Sequence, residues 1–332
     1  MLLRAASLVE SQHGLVTRRQ ALQSGLDDPD LRRLVARGEW IRLRRGVYVE
    51  AARWHSLDPY REQPLLRVRA AQLTLCCRRY VFSHDSAALA LGMGIPSAAG
   101  ALVHVTHPKV HGDAARAGVK HHLAPYAVDQ VRLVAGLPVL DLARTALDMA
   151  REHGLVAGVA CCDHALRAGA SRAQLADARA AMWCWPGSRV MDEALALADP
   201  GAESWLESAG RVLVVQLGLG RPETQFGLTD GHRTVWCDLR LGRHIFEIDG
   251  MLKYELDGPS GLDPREVLRR EKERQDFITG FKLGVSRITA HDCGAGRRAA
   301  ERRLLRECAD TGARFGTDIG DLAPYIVRRG RR

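Results

Sequence analysis

The chain has 332 residues, 46% hydrophobic and 26% charged, with a net charge of +9 and a pI near 9.4. That length allows two or three domains, and the composition excludes a disordered, collagenous or disulfide-dense chain. No apolar run approaches the roughly 18 residues of a membrane span.

The N-terminus is charged too early for a signal peptide, and the eight cysteines include no C-x-x-C. Both features predict reduced thiols in a cytoplasmic protein with no membrane attachment. The basic excess is nearly all arginine and favours a polyanionic partner such as nucleic acid.

Residues 1–52 read as three short helices and a hairpin. Leu2, Leu3, Ala6, Leu8 and Val9 give a first apolar face. Thr17 caps a second helix that begins Arg18-Arg19 and stops at Gly25. Asp28-Pro29 opens a third, closed by Gly38, with Leu31, Leu34 and Val35 facing inward. Trp40 to Val49 alternates apolar and basic residues around Gly46, which reads as a two-stranded wing.

This is the pattern of a winged helix-turn-helix that binds double-stranded DNA. Arg32, Arg33 and Arg37 fall on the outer face of the groove-facing helix. Arg42, Arg44 and Arg45 fall on the wing, near phosphates, and Thr17, Arg18 and Arg19 complete the candidate DNA-binding set. Gly14-Leu-Val-Thr-Arg-Arg-Gln-Ala and Gly46-Val-Tyr-Val resemble the N-terminal domain of AbiEi-type antitoxins. The resemblance implies an autorepressor of a type IV toxin–antitoxin operon and a cognate toxin as a possible partner.

Residues 60–198 alternate helical and strand-like segments, as in the α/β domain that comes after the winged helix in AbiEi-like proteins. Ser83 reads as the cap of a helix over His84-Asp85-Ser86, and Leu102 to Thr106 and Gly118 to His122 have strand character. His104, His107, His111, His121 and His122 lack a recognised ligand spacing and are expected to be surface histidines on strand ends and loops.

Residues 199–293 carry the strongest chemical signal. Gly242-Arg243 reads as a two-residue turn between two short apolar strands. Residues whose numbers sum to about 485 then face each other, which puts Asp238 opposite Glu247, on the face shared with Asp249. Phe246 and Ile248 point the other way. Such crowded carboxylates call for a hard cation, Mg²⁺ or alternatively Mn²⁺, held by Asp238 and Glu247 with help from Glu203 on the preceding helix or from Asp249.

Asp238, then Glu247-Ile-Asp249-Gly250, then Lys253-Tyr254, resembles the PD-(D/E)XK nuclease superfamily, in its very-short-patch-repair-like branch. The resemblance implies a restriction-endonuclease-like α/β/α domain and a catalytic set of Glu203, Asp238, Glu247, Asp249 and Lys253. Asp249 stands where the family pattern has lysine. Either Lys253 substitutes for it in a Mg²⁺-dependent endonuclease, or the domain binds without cutting and the chain is a noncatalytic repressor. Residues 294–332 read as a helical and basic tail, disordered toward its end. The whole is an α/β, or α+β, multidomain protein of undetermined oligomeric state.

Overall fold

The computed structural model describes residues 12–75, 80–94, 101–108, 114–250 and 264–328. The chain divides into two compact units. One comprises residues 1–152 and 173–188, the other residues 153–172 and 189–332. The second unit thus takes helix Leu155–Arg167 from the segment between the winged helix and the acidic hairpin.

In the first unit, β1 (Leu15–Thr17), β2 (Trp40–Arg44) and β3 (Val47–Glu50) form a sheet in the order β1-β3-β2. Thr17 ends β1 and caps α1 (Arg18–Gln23), its hydroxyl accepting the Gln20 N–H while the Gln20 side chain takes the Thr17 N–H, a reciprocal capping box. Asp27, one residue ahead of the expected start, caps α2 (Asp28–Ala36) in the same way with Asp30. The predicted first helix, residues 2–9, lies outside the described residues.

Leu15, Val47 and Val49 pack on Trp54 of α3 (Ala51–Ser56) and on Leu66 and Ala70 of α4 (Glu62–Gln72). The winged helix therefore shares a core with both of these helices. A six-stranded sheet continues the unit: β4 (Val81–Phe82), β5 (Val103–His107), β6 (Ala114–Arg116), β7 (Val119–Leu123), β8 (Val131–Val134) and β9 (Leu137–Leu140), in the order β6-β7-β5-β4-β9-β8. Helices α5 (His84–Ala90) and α6 (Leu142–His153) accompany it.

The second unit opens with α7 (Leu155–Arg167), after which α8 (Arg172–Ala180) runs back into the first, followed by α9 (Ser188–Leu197) and α10 (Trp205–Gln216). The Arg211 guanidinium of α10 meets Asp163 of α7 at 2.5 Å, both side chains 1% exposed. An antiparallel meander comes next: β10 (Glu223–Thr229), β11 (Thr234–Leu241) and β12 (His244–Asp249). It leads into α11 (Pro264–Gly280) and β13 (Gly284–Thr289), which lies parallel to β12.

One face of this sheet packs Phe226, Leu228, Val235, Cys237 and Ile245 against Ile278 of α11. The other packs Leu239, Phe246 and Ile248 against Leu213 and Val214 of α10 and Leu304 of α12 (Arg297–Phe315). The result is a three-layered α/β/α arrangement.

Residues 297–328 are built into this unit rather than forming a loose tail; the last four residues, 329–332, lie outside the described residues. After α12, the 3₁₀ turn Gly320–Tyr325 buries Leu322 in the α11-side core. Then β14 (Ile326–Val327) pairs with β10 as the fifth strand. Apolar residues at the spacing of a helix face and a final short strand outweigh the arginine content that suggested a tail.

Candidate functional site

Arg19, Arg32, Arg33, Arg37, Arg42 and Arg45 are exposed. Arg18 is tied to Asp28 at the start of α2 by two charge-assisted hydrogen bonds, at 2.8 and 2.5 Å. Arg33 pairs with Asp30 at 3.3 Å and Arg37 with Glu39 at 3.8 Å. Arg44 is half-buried, and burial lowers its pKa. Gly46 turns the wing with φ +76° and accepts the Arg18 N–H at 2.8 Å.

In the second unit the hairpin register follows the turn. Leu241 pairs with His244, Arg240 with Ile245 and Leu239 with Phe246, and Gly242 supplies the left-handed conformation at φ +55°. The ladder then stops. Asp238 does not continue it; its carboxylate accepts the Ile248 N–H at 2.7 Å.

The cause is a break shared by two strands. Gln225 and Asp238 are the skipped pair in the β10–β11 register, and Gln225 has φ +52°. Cys237 faces the α11-side core while Leu239 faces the α10 side, although two residues apart on a regular strand share one face. The side-chain alternation is therefore reset at Asp238, as at a bulge.

Glu247 keeps the face expected of it, the α11 side shared with Ile245. Its Oε2 lies 2.6 Å from Arg274, which also donates to the Trp236 carbonyl at 2.8 Å. Burial raises the Glu247 pKa, and Arg274 acts against that rise. Asp249 is half-buried in register with Thr289 of β13, and Lys253 and Tyr254 lie outside the described residues.

Glu203 is exposed and precedes the helix. Ser204 is the cap of α10, and the Glu203 N–H donates to Glu207 at 2.8 Å. The acidic side chain that α10 directs toward the sheet is Glu207. Its pKa is raised by burial, with Asp238 adding repulsion, and its Oε2 accepts from Gln225 at 3.2 Å. The Ser204-x-x-Glu207 spacing is a capping-box signature, the signal that locates this residue in the sequence.

Among the described residues, no three of Glu203, Glu207, Asp238, Glu247 and Asp249 bring ligand oxygens within 4.8 Å of one another. Asp238 and Glu247 each use an oxygen on a protein donor. As arranged, these carboxylates form no three-residue site for one Mg²⁺ ion, and no hydrolytic step is derived from their geometry. Arg269 and Arg270 of α11 are likewise engaged. Arg269 pairs with Glu266 and Glu273, and Arg270 with Glu266, as on a solvated helix of mixed charge.

The histidines of the first unit depart from expectation. His104, His107 and His122 are buried rather than on the surface, and His84 joins them at 3% exposure. His111 lies outside the described residues. Ser83 makes no side-chain cap to α5; its hydroxyl contacts the His84 ring and accepts from Thr106 instead.

These features define a mixed α/β protein with an N-terminal segment of short helices and a two-stranded wing. Residues 4–51, which include that segment, match the family model described as a transcriptional regulator, AbiEi antitoxin. No curated protein matches the chain. Among the described residues no helix is long and apolar enough to cross a membrane.

Proposed function

We propose that the chain is a DNA-binding transcriptional regulator of the antitoxin type, an autorepressor whose cognate toxin is a partner protein. The observation that carries this reading is the coincidence of the AbiEi match with a complete wing and an arginine-bearing α2. Arg32, Arg33 and Arg37 come after the acids Asp28 and Asp30 along α2, so the positive field lies over its C-terminal half. Arg42 and Arg45 extend that field onto the wing, where they meet phosphates. The second unit binds without cutting: an arginine, Arg274, neutralises Glu247, the position that a metal would otherwise occupy.

The test is binding of duplex DNA from the chain's own promoter, measured against an unrelated duplex of equal length. Specific binding that is lost on charge reversal at Arg32 and Arg33 supports the proposal. Equal affinity for the two duplexes would remove the repressor reading.

A second reading, Mg²⁺-dependent phosphodiester hydrolysis, is favoured by one observation. Glu247 Oε1 is buried and accepts from no N–H or O–H among the described residues, with only the weak Cys237 thiol donor beside the carboxylate, so a cation would satisfy it. Plasmid nicking with Mg²⁺ or Mn²⁺ that disappears in Asp238→Asn would establish this reading. Intact plasmid under every metal condition leaves the noncatalytic one.

A further inference from the structure

We propose that His84, His104 and His122 form a buried binding site for a divalent transition-metal ion of the zinc class. Three adjacent strands of the first unit bring them together. His104 lies on β5 and His122 on its parallel neighbour β7, two positions apart in the register and on one face of the sheet. β4 runs antiparallel to β5 on its other side, and the chain leaving β4 delivers His84 to the same place.

One ring nitrogen from each histidine lies within 4.8 Å of the other two. His104 Nδ1 and His122 Nε2 are 3.1 Å apart. Zinc–nitrogen bonds of about 2.0–2.1 Å at tetrahedral angles separate ligand nitrogens by about 3.3 Å. The spacing of the pair is close to that of two ligands of one ion, and an ion there would replace their ring-to-ring hydrogen bond.

The nitrogens on the far sides of two rings are held by oxygen. His84 Nδ1 sits 3.0 Å from Ser83 Oγ, itself fixed by Thr106 Oγ1 at 2.7 Å. His104 Nε2 lies 3.6 Å from Asp85 Oδ2. Oxygen partners behind imidazole ligands fix the ring orientation and raise ligand basicity. His84 Nε2 is the nitrogen left for the ion; it lies 3.9 Å from Asp148 Oδ1, and the His84 ring, stacked on His122 with centroids 3.8 Å apart, turns out of that stack to bind.

His84 holds this position at φ +47°, a left-handed conformation uncommon outside glycine that histidine tolerates better than most side chains. Such strain persists only where the surroundings enforce it, and it collects at functional sites. The charged neighbours balance: Glu152 pairs with Lys120, and Asp148 with Arg144 and Arg151. Three imidazoles select zinc-like ions over magnesium or calcium, which prefer oxygen.

The experiment titrates the chelator-stripped full-length chain with Zn²⁺ against a chromophoric competitor, and repeats the titration for His104→Asn, His122→Asn and His121→Asn. His121 belongs to a second histidine pair, with His107, on the opposite face of the sheet, and serves as the control. The expected result is one tight ion per chain, at least about tenfold weaker in the first two variants and unchanged in the third. Co²⁺ added to the stripped wild type gives the intense visible bands of a low-coordinate site, a readout that does not depend on the variants folding. Wild type that takes up Zn²⁺ no more tightly than His104→Asn, or Co²⁺ that gives only weak octahedral bands, overturns the proposal.

Discussion

Arg274 reaches from α11 to Glu247 on β12, with its Nη2 2.6 Å from the carboxylate and 2.8 Å from the carbonyl oxygen of Trp236. One guanidinium thus locks a helix to two strands at the level where the β11–β12 ladder ends. Arg274→Ala leaves a mostly buried carboxylate without its cation, and the expected cost is about 2–4 kcal/mol. Chemical denaturation measures it. Arg274→Ala/Glu247→Gln should recover part of the loss, because the desolvated charge is then gone as well. A double variant no more stable than Arg274→Ala would show that Arg274 acts through packing alone.

The Asp163–Arg211 pair is more deeply enclosed. Asp163 also accepts the Ser208 hydroxyl at 2.7 Å and the Asp199 N–H at 2.6 Å, so its carboxylate joins α7, α10 and the loop between α9 and α10. Arg211→Met should destabilise the second unit by about 3–5 kcal/mol through the charge left unpaired. A loss below about 1 kcal/mol in urea unfolding would mean that Asp163 finds other compensation.

His244 gives a pH dependence with a definite sign. Burial holds its pKa at about 4, against 6.5 when unfolded, with Glu307 opposing the shift. Its ring bridges Thr311 at 2.8 Å and Ser286 at 2.7 Å. A depressed pKa means that the unfolded chain binds the proton first. The neutral ring's contribution is complete above pH 6.5 and is lost as pH falls toward 4, by about 3 kcal/mol. Unfolding midpoints at pH 7 and pH 4.5 should diverge more in wild type than in His244→Gln, and equal divergence would contradict the assignment.

Much of this architecture is legible in the sequence, for local reasons. Thr17, Gly25, Gly38 and Gly46 mark the ends of the winged-helix elements through capping and left-handed turns. Gly242-Arg243 fixes the hairpin register as far as Leu239 and Phe246. Phe246 and Ile248 pack on the face opposite Ile245, as strict alternation requires. The alternation rule fails at Asp238, because the reset depends on Gln225 in a neighbouring strand.

The histidine cluster is invisible for a similar reason. His84, His104 and His122 are each about twenty residues from the next, and only the strand order β7-β5-β4 makes them neighbours. Glu207 is overlooked because Glu203, one turn earlier, carries the same charge. Residues 316–328 read as a basic end because what ties them down is long-range: Leu322 in the core, the Asp321 pair with Arg243, and two residues of β14 paired with β10.

That last segment supports a direct prediction. Ending the chain at Gly316 removes Leu322, the fifth strand and the ion pair between Arg243 and Asp321. Burial of Leu322 alone is worth about 1.5–3 kcal/mol. The truncated chain should unfold at a lower temperature by calorimetry, with the loss confined to the second unit. An unchanged transition would mean that the segment adds nothing to the core.

The most direct measurement for the regulator reading is the salt dependence of duplex binding by fluorescence anisotropy, with the chain's own promoter as the duplex. Each phosphate neutralised by an arginine contributes about −0.9 to the slope of log K against log salt. Wild type should show a steep negative slope, and Arg32→Glu/Arg33→Glu should bind more weakly, with the slope shallower by about 1–2. A slope near zero for wild type, or one unaltered by reversing those two charges, would contradict the claim that α2 and its wing are the DNA-reading surface.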